Sequence, residues 1–273
     1  RVITFEGSFH GRTLTTIAAG GSEKLTKGFG PKVDGFDVIP FFQDMNKVEE
    51  HITPATAAIM IEPIQGEGGI RPVSIDNLII LRQLADKHGL LLIFDEIQCG
   101  VGRTGKLFCH EKAGVTPDIM PIAKGIGGGF PLGACLATEP VAKHMTAGTH
   151  GSTYGGNPLA MAMGNAVLNV LEEDNILNNV QEMSDLLRNK LMKLGEKYPE
   201  IIDTVRGVGL MMGLKLHIEP RPFVIQAFKN KLLIVGASEN TVRILPPLNI
   251  TSTEVDEAIA KLDKTCLDLL EQT

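Results

Sequence analysis

One lysine and one aspartate stand where an amine and a carboxylate could act on the same ligand. Lys124 closes the apolar run at residues 119–123 and is followed at once by Gly125, Gly127, Gly128 and Gly129. Asp95, paired with Glu96, ends a second apolar run, LLLIF, at residues 90–94. An amine at the end of a buried strand is partly desolvated, which makes it easier to deprotonate and able to condense with a carbonyl. The plainer reading is a surface lysine whose stem rests on apolar side chains. The acidic pair likewise admits two readings, a catalytic carboxylate or a cap and ion pair for the next helix.

Both runs are short, apolar and isoleucine-containing, as buried strands are. Further strands are predicted at residues 2–5, 36–40, 57–62 and 134–137, a loop at 18–34 and a polar helix at 43–51. Leu78, Leu81, Leu84 and Ala85 recur at helical spacing within 76–88, with Gly89 as the stop. Strands alternating with helices predict an α/β fold with a mostly parallel sheet, and such sheets bind ligands beyond the carboxyl ends of their strands. Asp95 and Lys124 both fall there. Pyridoxal 5'-phosphate needs that pair: an amine to hold its aldehyde, and a carboxylate to keep its ring nitrogen protonated so that the ring serves as an electron sink. Glu62 and Glu67 add two carboxylates beyond the strand at 57–62.

The remainder predicts helices at 158–171 and 176–197, a strand at 208–216, a helix at 223–232, strands at 233–236 and 241–245, and a helix at 254–270. The pattern divides the chain into residues 1–172, a large cofactor-binding domain, and residues 173–273, a smaller α+β domain. The 273 residues are 43% hydrophobic, enough for a sizeable core, and carry a net charge of −6. The 26 basic residues are scattered, which argues against a nucleic-acid or anionic-membrane surface and for small-molecule partners. No apolar run approaches the ~20 residues that span a bilayer. Cys99, Cys109, Cys135 and Cys266 lack CxxC spacing, so reduced thiols, a cytoplasmic location and no metal site are expected. Gly100, Gly102 and Gly105 satisfy GxGxxG and nearly complete a phosphate loop. Leu107 replaces the hydroxyl residue of that loop, and Gly114 and Pro117 break any following helix, so a tight loop beside the site is expected instead.

Five segments in order, EGSFHGRT from Glu6, IEPIQGEGG from Ile61, LLIFDEIQCGVGRTG from Leu91, PDIMPIAKGIGGGFPLGA from Pro117 and HGSTYGGNPLA from His150, carry a resemblance to the class III pyridoxal-phosphate aminotransferases. The resemblance runs from the first residue to the last helix. It implies a fold type I large domain with a smaller C-terminal α+β domain. It also implies transfer of the terminal amino group of N2-acetylornithine to 2-oxoglutarate in arginine biosynthesis. Ornithine, succinylornithine, succinyldiaminopimelate and 4-aminobutyrate are the alternative donors, and a non-catalytic remnant or regulatory binder is the alternative of another class. The chain opens on Arg1 and has no counterpart of the family's phosphate-binding turn, so an amino-terminal portion is expected to be missing.

Residue by residue, the resemblance implies that Lys124 and Asp95 are catalytic and hold the cofactor, that Phe9 stacks on its ring and that Gln98 bonds its ring hydroxyl oxygen. Thr153 would reach the phosphate of the neighbouring subunit's cofactor across a homodimer interface. Arg12 would grip the donor's distant carboxylate and Arg243 the carboxylate next to the reacting carbon, with Glu67 pairing with Arg243 when that carboxylate is lacking. Ser152 joins the substrate-binding set, and His10 is given no role. Without the resemblance, Phe9 reads as core, Arg12 and Gln98 as surface groups, Thr153 as a turn residue and Arg243 as an edge-strand cation facing water.

Overall fold

The computed structural model describes residues 1–271. Six four-residue strands form its main sheet: β1 (Val2–Phe5), β2 (Phe36–Ile39), β3 (Ala58–Ile61) and, after the small hairpin of β4 (Ile64–Gln65) and β5 (Arg71–Pro72), β6 (Leu91–Phe94), β7 (Ile119–Ile122) and β8 (Ala134–Ala137). Their spatial order is β2-β1-β3-β6-β7-β8, and every pairing is parallel except that of β7 with β8. Helices α1 (Leu14–Gly20), α2 (Glu23–Thr26), α3 (Ile75–His88), α4 (Glu139–Ala142) and α5 (Pro158–Glu173) accompany the sheet, whereas α6 (Ile176–Lys197) packs against the C-terminal part. A second, antiparallel sheet is built from β9 (Ile202–Val208), β10 (Met211–Leu216), β11 (Val235–Ala237) and β12 (Thr241–Ile244), in the order β11-β12-β10-β9. Helices α7 (Pro220–Lys229) and α8 (Ser252–Leu270) belong to this part.

Burial explains why such short strands hold. Ile3, Phe5, Ile59, Ile61, Leu92 and Phe94 are fully buried against Leu81 and Ala85 of α3, and each large apolar side chain so buried contributes about 1.5–3 kcal/mol. α3 starts where Ser74 Oγ accepts from the Asn77 amide at 3.2 Å, and it ends on Gly89 in the left-handed conformation. A second core joins Met120, Ile122 and Ile126 to Val180, Leu187 and Leu191 of α6 and to Leu214 and Val242 of the antiparallel sheet. Apolar packing is thus continuous from the parallel sheet to the C-terminal part. Among the described residues no helix is long and apolar enough to cross a membrane.

Three sequence expectations are corrected. The loop expected at 18–34 begins in helix α1 and contains α2. Thr13 starts α1 with a capping box to Thr16, a local hydrogen-bond exchange that the threonine-rich sequence disguises as a turn. The single strand expected at 208–216 is a hairpin of β9 and β10, because IDTVRGV mixes charged with apolar side chains and hides β9. The hairpin turns through Gly209 at φ 60, where a Cβ would come within 2.4 Å of Thr104 Cα. The segment expected as a polar helix at 43–51 is a 3-10 helix, Met45–His51.

Candidate active site

The carboxyl ends of four neighbouring parallel strands deliver the chemistry. Phe9 and His10 follow β1, Glu62 follows β3, Asp95 follows β6 and Lys124 follows β7. The Asp95 amide bonds Ile61 O at 2.9 Å, extending the ladder to the acid itself. Asp95 is 3% exposed; its Oδ2 lies 2.8 Å from His10 Nδ1 and its Oδ1 accepts from the Ile97 amide at 3.1 Å. A carboxylate has about four lone-pair directions, so capacity remains for a further donor.

Lys124 adopts φ 50, a left-handed conformation that costs a non-glycine residue about 1–3 kcal/mol and is concentrated at functional sites. The position is exposed rather than at the edge of a core, and no ion pair or hydrogen bond engages Nζ among the described residues. With Gln98, Gly128 and Leu248 it lines a cavity of about 690 Å³.

Glu62 ties the two approach loops together. Its Oε1 accepts from the Phe9 amide at 2.8 Å and its Oε2 from the Gly66 amide at 3.2 Å. Burial pushes this carboxyl up to about 7, against the opposing pull of His10 and the two amides. The neighbouring acid Glu96 is turned away from this set: it accepts from the Cys109 and His110 amides at 2.6 and 2.8 Å and lies 2.9 Å from His110 Nδ1.

Arg243 is no edge-strand cation. Its strand β12 lies between β10 and β11, and the residue is 7% exposed. Its NH1 donates to Glu67 Oε1 at 2.7 Å and to Gln98 Oε1 at 3.3 Å. Gly66 makes room for this arrangement, since a Cβ there would lie 2.2 Å from Gln98 Oε1. Glu67, whose side chain is 39% exposed, also lines a second cavity of about 740 Å³ with Phe9, Arg12, Ser8 and Ser238. Arg243 therefore bonds to one residue from the wall of each cavity. The Arg12 guanidinium sits 5.5 Å from the Phe9 ring centroid and is exposed.

Ser152 and Thr153 are not brought to this cluster. Both are exposed on the loop before α5, with no side-chain hydrogen bond among the described residues. Conversely, the sequence carries no signal for the His10–Asp95 contact, whose partners are 85 residues apart. His10 was legible only as the neighbour of Phe9. Among the described residues no group of three or more His, Cys, Asp or Glu side chains could hold a metal ion.

The amine, the buried acid and the left-handed lysine backbone, set at the carboxyl edge of one mostly parallel sheet, agree with what similarity to known proteins gives. The Aminotransferase class-III family matches residues 1–266, and the chain belongs to that family. It is 59% identical over 263 residues to the acetylornithine aminotransferase of Mesorhizobium japonicum, covering 96% of this chain and 65% of that protein. Identity to the acetylornithine aminotransferase of Agrobacterium fabrum is 55% over 270 residues, covering 98% and 67%. Among solved structures, the ornithine aminotransferase from Toxoplasma gondii superposes with a TM-score of 0.94 at 32% identity, covering 100% of this chain and 66% of the other. The N-acetylornithine aminotransferase from Stenotrophomonas maltophilia gives a TM-score of 0.82 at 36% identity, covering 100% and 67%. The fold is that of the pyridoxal-phosphate-dependent aminotransferases, and the chain spans about two thirds of the length of the curated relatives it matches.

Proposed function

We propose that the protein is a pyridoxal-phosphate-dependent aminotransferase that moves the terminal amino group of N2-acetylornithine to 2-oxoglutarate. The products would be N-acetylglutamate 5-semialdehyde and glutamate, in arginine biosynthesis. The names of the relatives above support this donor. The observation that carries the reading is the ion pair between buried Arg243 and half-exposed Glu67. A terminal-amine donor has no carboxylate on its reacting carbon, whereas the acceptor has one, and a single pocket must serve both. Leaving a buried guanidinium unpaired in one half-reaction would cost about 3–5 kcal/mol. Glu67 neutralises Arg243 while the donor is bound and swings away when the acceptor's carboxylate takes its place. The more exposed partner is the one free to move.

The residues present fit the cofactor. Lys124 offers an amine without an ion-pair partner among the described residues, Asp95 keeps a lone pair after its two hydrogen bonds, Phe9 offers a ring face and Gln98 an amide. Bound pyridoxal phosphate supplies an aldehyde for amine exchange and a protonated ring that accepts electrons. Lys124 Nζ would hold that aldehyde and would move the proton of the reacting carbon. Asp95 would keep the ring nitrogen protonated, Arg12 would grip the donor's distant carboxylate through two parallel hydrogen bonds, and Ser152 would line the donor's path from the loop of a partner subunit. Thr153 serves the phosphate of the partner subunit in a homodimer. Residues 1–172 form the cofactor-binding domain and residues 173–273 the smaller one, and the enzyme works in the cytoplasm.

Initial rates of the intact, cofactor-loaded protein with each donor and 2-oxoglutarate test this. The highest kcat/KM is expected with N2-acetylornithine. A preference for ornithine or 4-aminobutyrate would overturn the donor assignment, and no turnover with any of them would overturn the activity.

A further inference from the structure

We propose that His10 is a positioning residue of the proposed reaction, acting through Asp95. The inference rests on the aminotransferase reading and gives a role to a side chain that the motif leaves unused. His10 Nδ1 lies 2.8 Å from Asp95 Oδ2, with side chains 0% and 3% exposed. An ionised carboxylate only accepts, so the proton of this hydrogen bond sits on Nδ1. The other ring nitrogen, Nε2, is buried and has no partner among the described residues. The imidazole thus has one polar contact, its Nδ1–H aimed at Asp95.

This has two effects on Asp95. Oδ2 is fixed by His10 and Oδ1 by the Ile97 amide, so the carboxylate cannot rotate, and its remaining lone pairs keep one direction. The charge also gains a buried donor in a wall that holds a second acid: Glu62 is close enough to feel both His10 and Asp95. Without His10, Asp95 would keep one amide as its only support and would share a water-poor wall with Glu62. It would then be free to rotate and would hold a ring nitrogen less firmly. Because the imidazole would touch neither substrate nor the reacting atoms, its loss should affect rate and cofactor affinity more than substrate KM.

The test compares His10→Leu, which removes the donor, with His10→Asn, whose amide nitrogen can replace Nδ1. Both variants are made in the intact protein, and folding is checked by thermal melting. Loss of an outer partner of this kind usually costs about 10–100-fold. His10→Leu should lose that much in kcat and bind pyridoxal phosphate more weakly, with donor KM changed by less than about threefold; His10→Asn should recover most of both. In the cofactor-free protein, proton NMR should show a strongly downfield imidazole N–H that moves upfield in Asp95→Asn, where the acceptor is neutral. This last readout needs no variant at His10, so it holds even if His10→Leu does not fold.

Wild-type kcat and cofactor affinity in His10→Leu would overturn the proposal. So would a His10→Asn variant as impaired as His10→Leu, which would mean packing rather than donation, or a downfield proton that stays unshifted in Asp95→Asn. Borohydride reduction separates this failure from that of the parent reading. A pyridoxyl adduct on Lys124 in wild type, together with an unimpaired His10→Leu, overturns only the role of His10; no adduct in wild type overturns both.

Discussion

Two regions offer polar side chains to the same proposed ligand, and they are held very differently. At the carboxyl edge of the parallel sheet, Asp95, Glu62 and Arg243 are buried and bonded to groups from distant parts of the chain: His10, the Phe9 amide and Glu67. On the loop before α5, Ser152 and Thr153 are exposed and have no such bond among the described residues. The edge is organised before any ligand arrives, because its buried charged groups would each lose several kcal/mol if left unpaired. The loop has no such requirement inside this chain. The contrast suits a division of labour in which the chain's own edge does the chemistry and the loop serves a neighbouring subunit.

The edge is broken most completely at Lys124. Lys124→Ala should lower single-turnover rates by at least ~10³-fold while leaving some non-covalent cofactor binding, since both holding the aldehyde and moving the proton are lost. Asp95→Asn should follow, with a loss of ~10²-fold or more in kcat and little change in melting temperature, because the amide keeps the shape but not the charge. Wild-type single-turnover rates in either variant would contradict the roles given to them.

The loop side is sharpened by mixing subunits. Thr153→Ala alone should weaken cofactor binding by roughly tenfold, the worth of one hydrogen bond to a charged group. A heterodimer of one Lys124→Ala and one Thr153→Ala subunit should then contain one site of wild-type affinity and activity, if the threonine crosses the interface. A single active site carrying the Thr153→Ala defect would show that it acts within its own chain. Glu67→Ala is expected to disturb selectivity more than rate, raising donor KM relative to acceptor KM. An unchanged ratio would count against the switching role.

A further effect concerns stability. Glu62 has its carboxyl raised from 4.5 to about 7 in the folded chain by burial. The native state therefore holds a proton that the unfolded chain has released, and stability falls as pH rises through that window. The total loss is about 3 kcal/mol, complete a little above neutrality. Glu62→Gln, which cannot ionise, should flatten this decline in denaturant melts between pH ~5 and ~8. A slope unchanged from wild type would place the titration elsewhere.

Local patterns made the parallel half legible. LLLIF before Asp95 and IMPIA before Lys124 are runs whose burial and termination can be read from apolarity and glycine alone, and both strands are present. The Leu78, Leu81, Leu84 and Ala85 face of α3 is buried as its spacing requires. What could not be read depended on distant partners or on polar local chemistry. Thr13 and Thr16 cap each other to start α1, and β9 mixes the charged Asp203 and Arg206 with apolar residues in no strand period. At the site, the resemblance named Arg243 and Glu67, but only the folded chain showed Arg243 in an interior strand with Gln98 as a further partner. His10 had no sequence signal because a histidine beside an aromatic residue fits many settings, and its meaning comes from an acid 85 positions away.

The most direct measurement is borohydride reduction of the intact protein loaded with pyridoxal phosphate, followed by peptide mass mapping. A pyridoxyl adduct on Lys124, absent from Lys124→Ala, is the expected result and would join the amine, the cofactor and the carboxyl edge of the sheet in one observation. An adduct on another lysine, or none at saturating cofactor, would contradict the assignment of Lys124 and with it the reaction built around it.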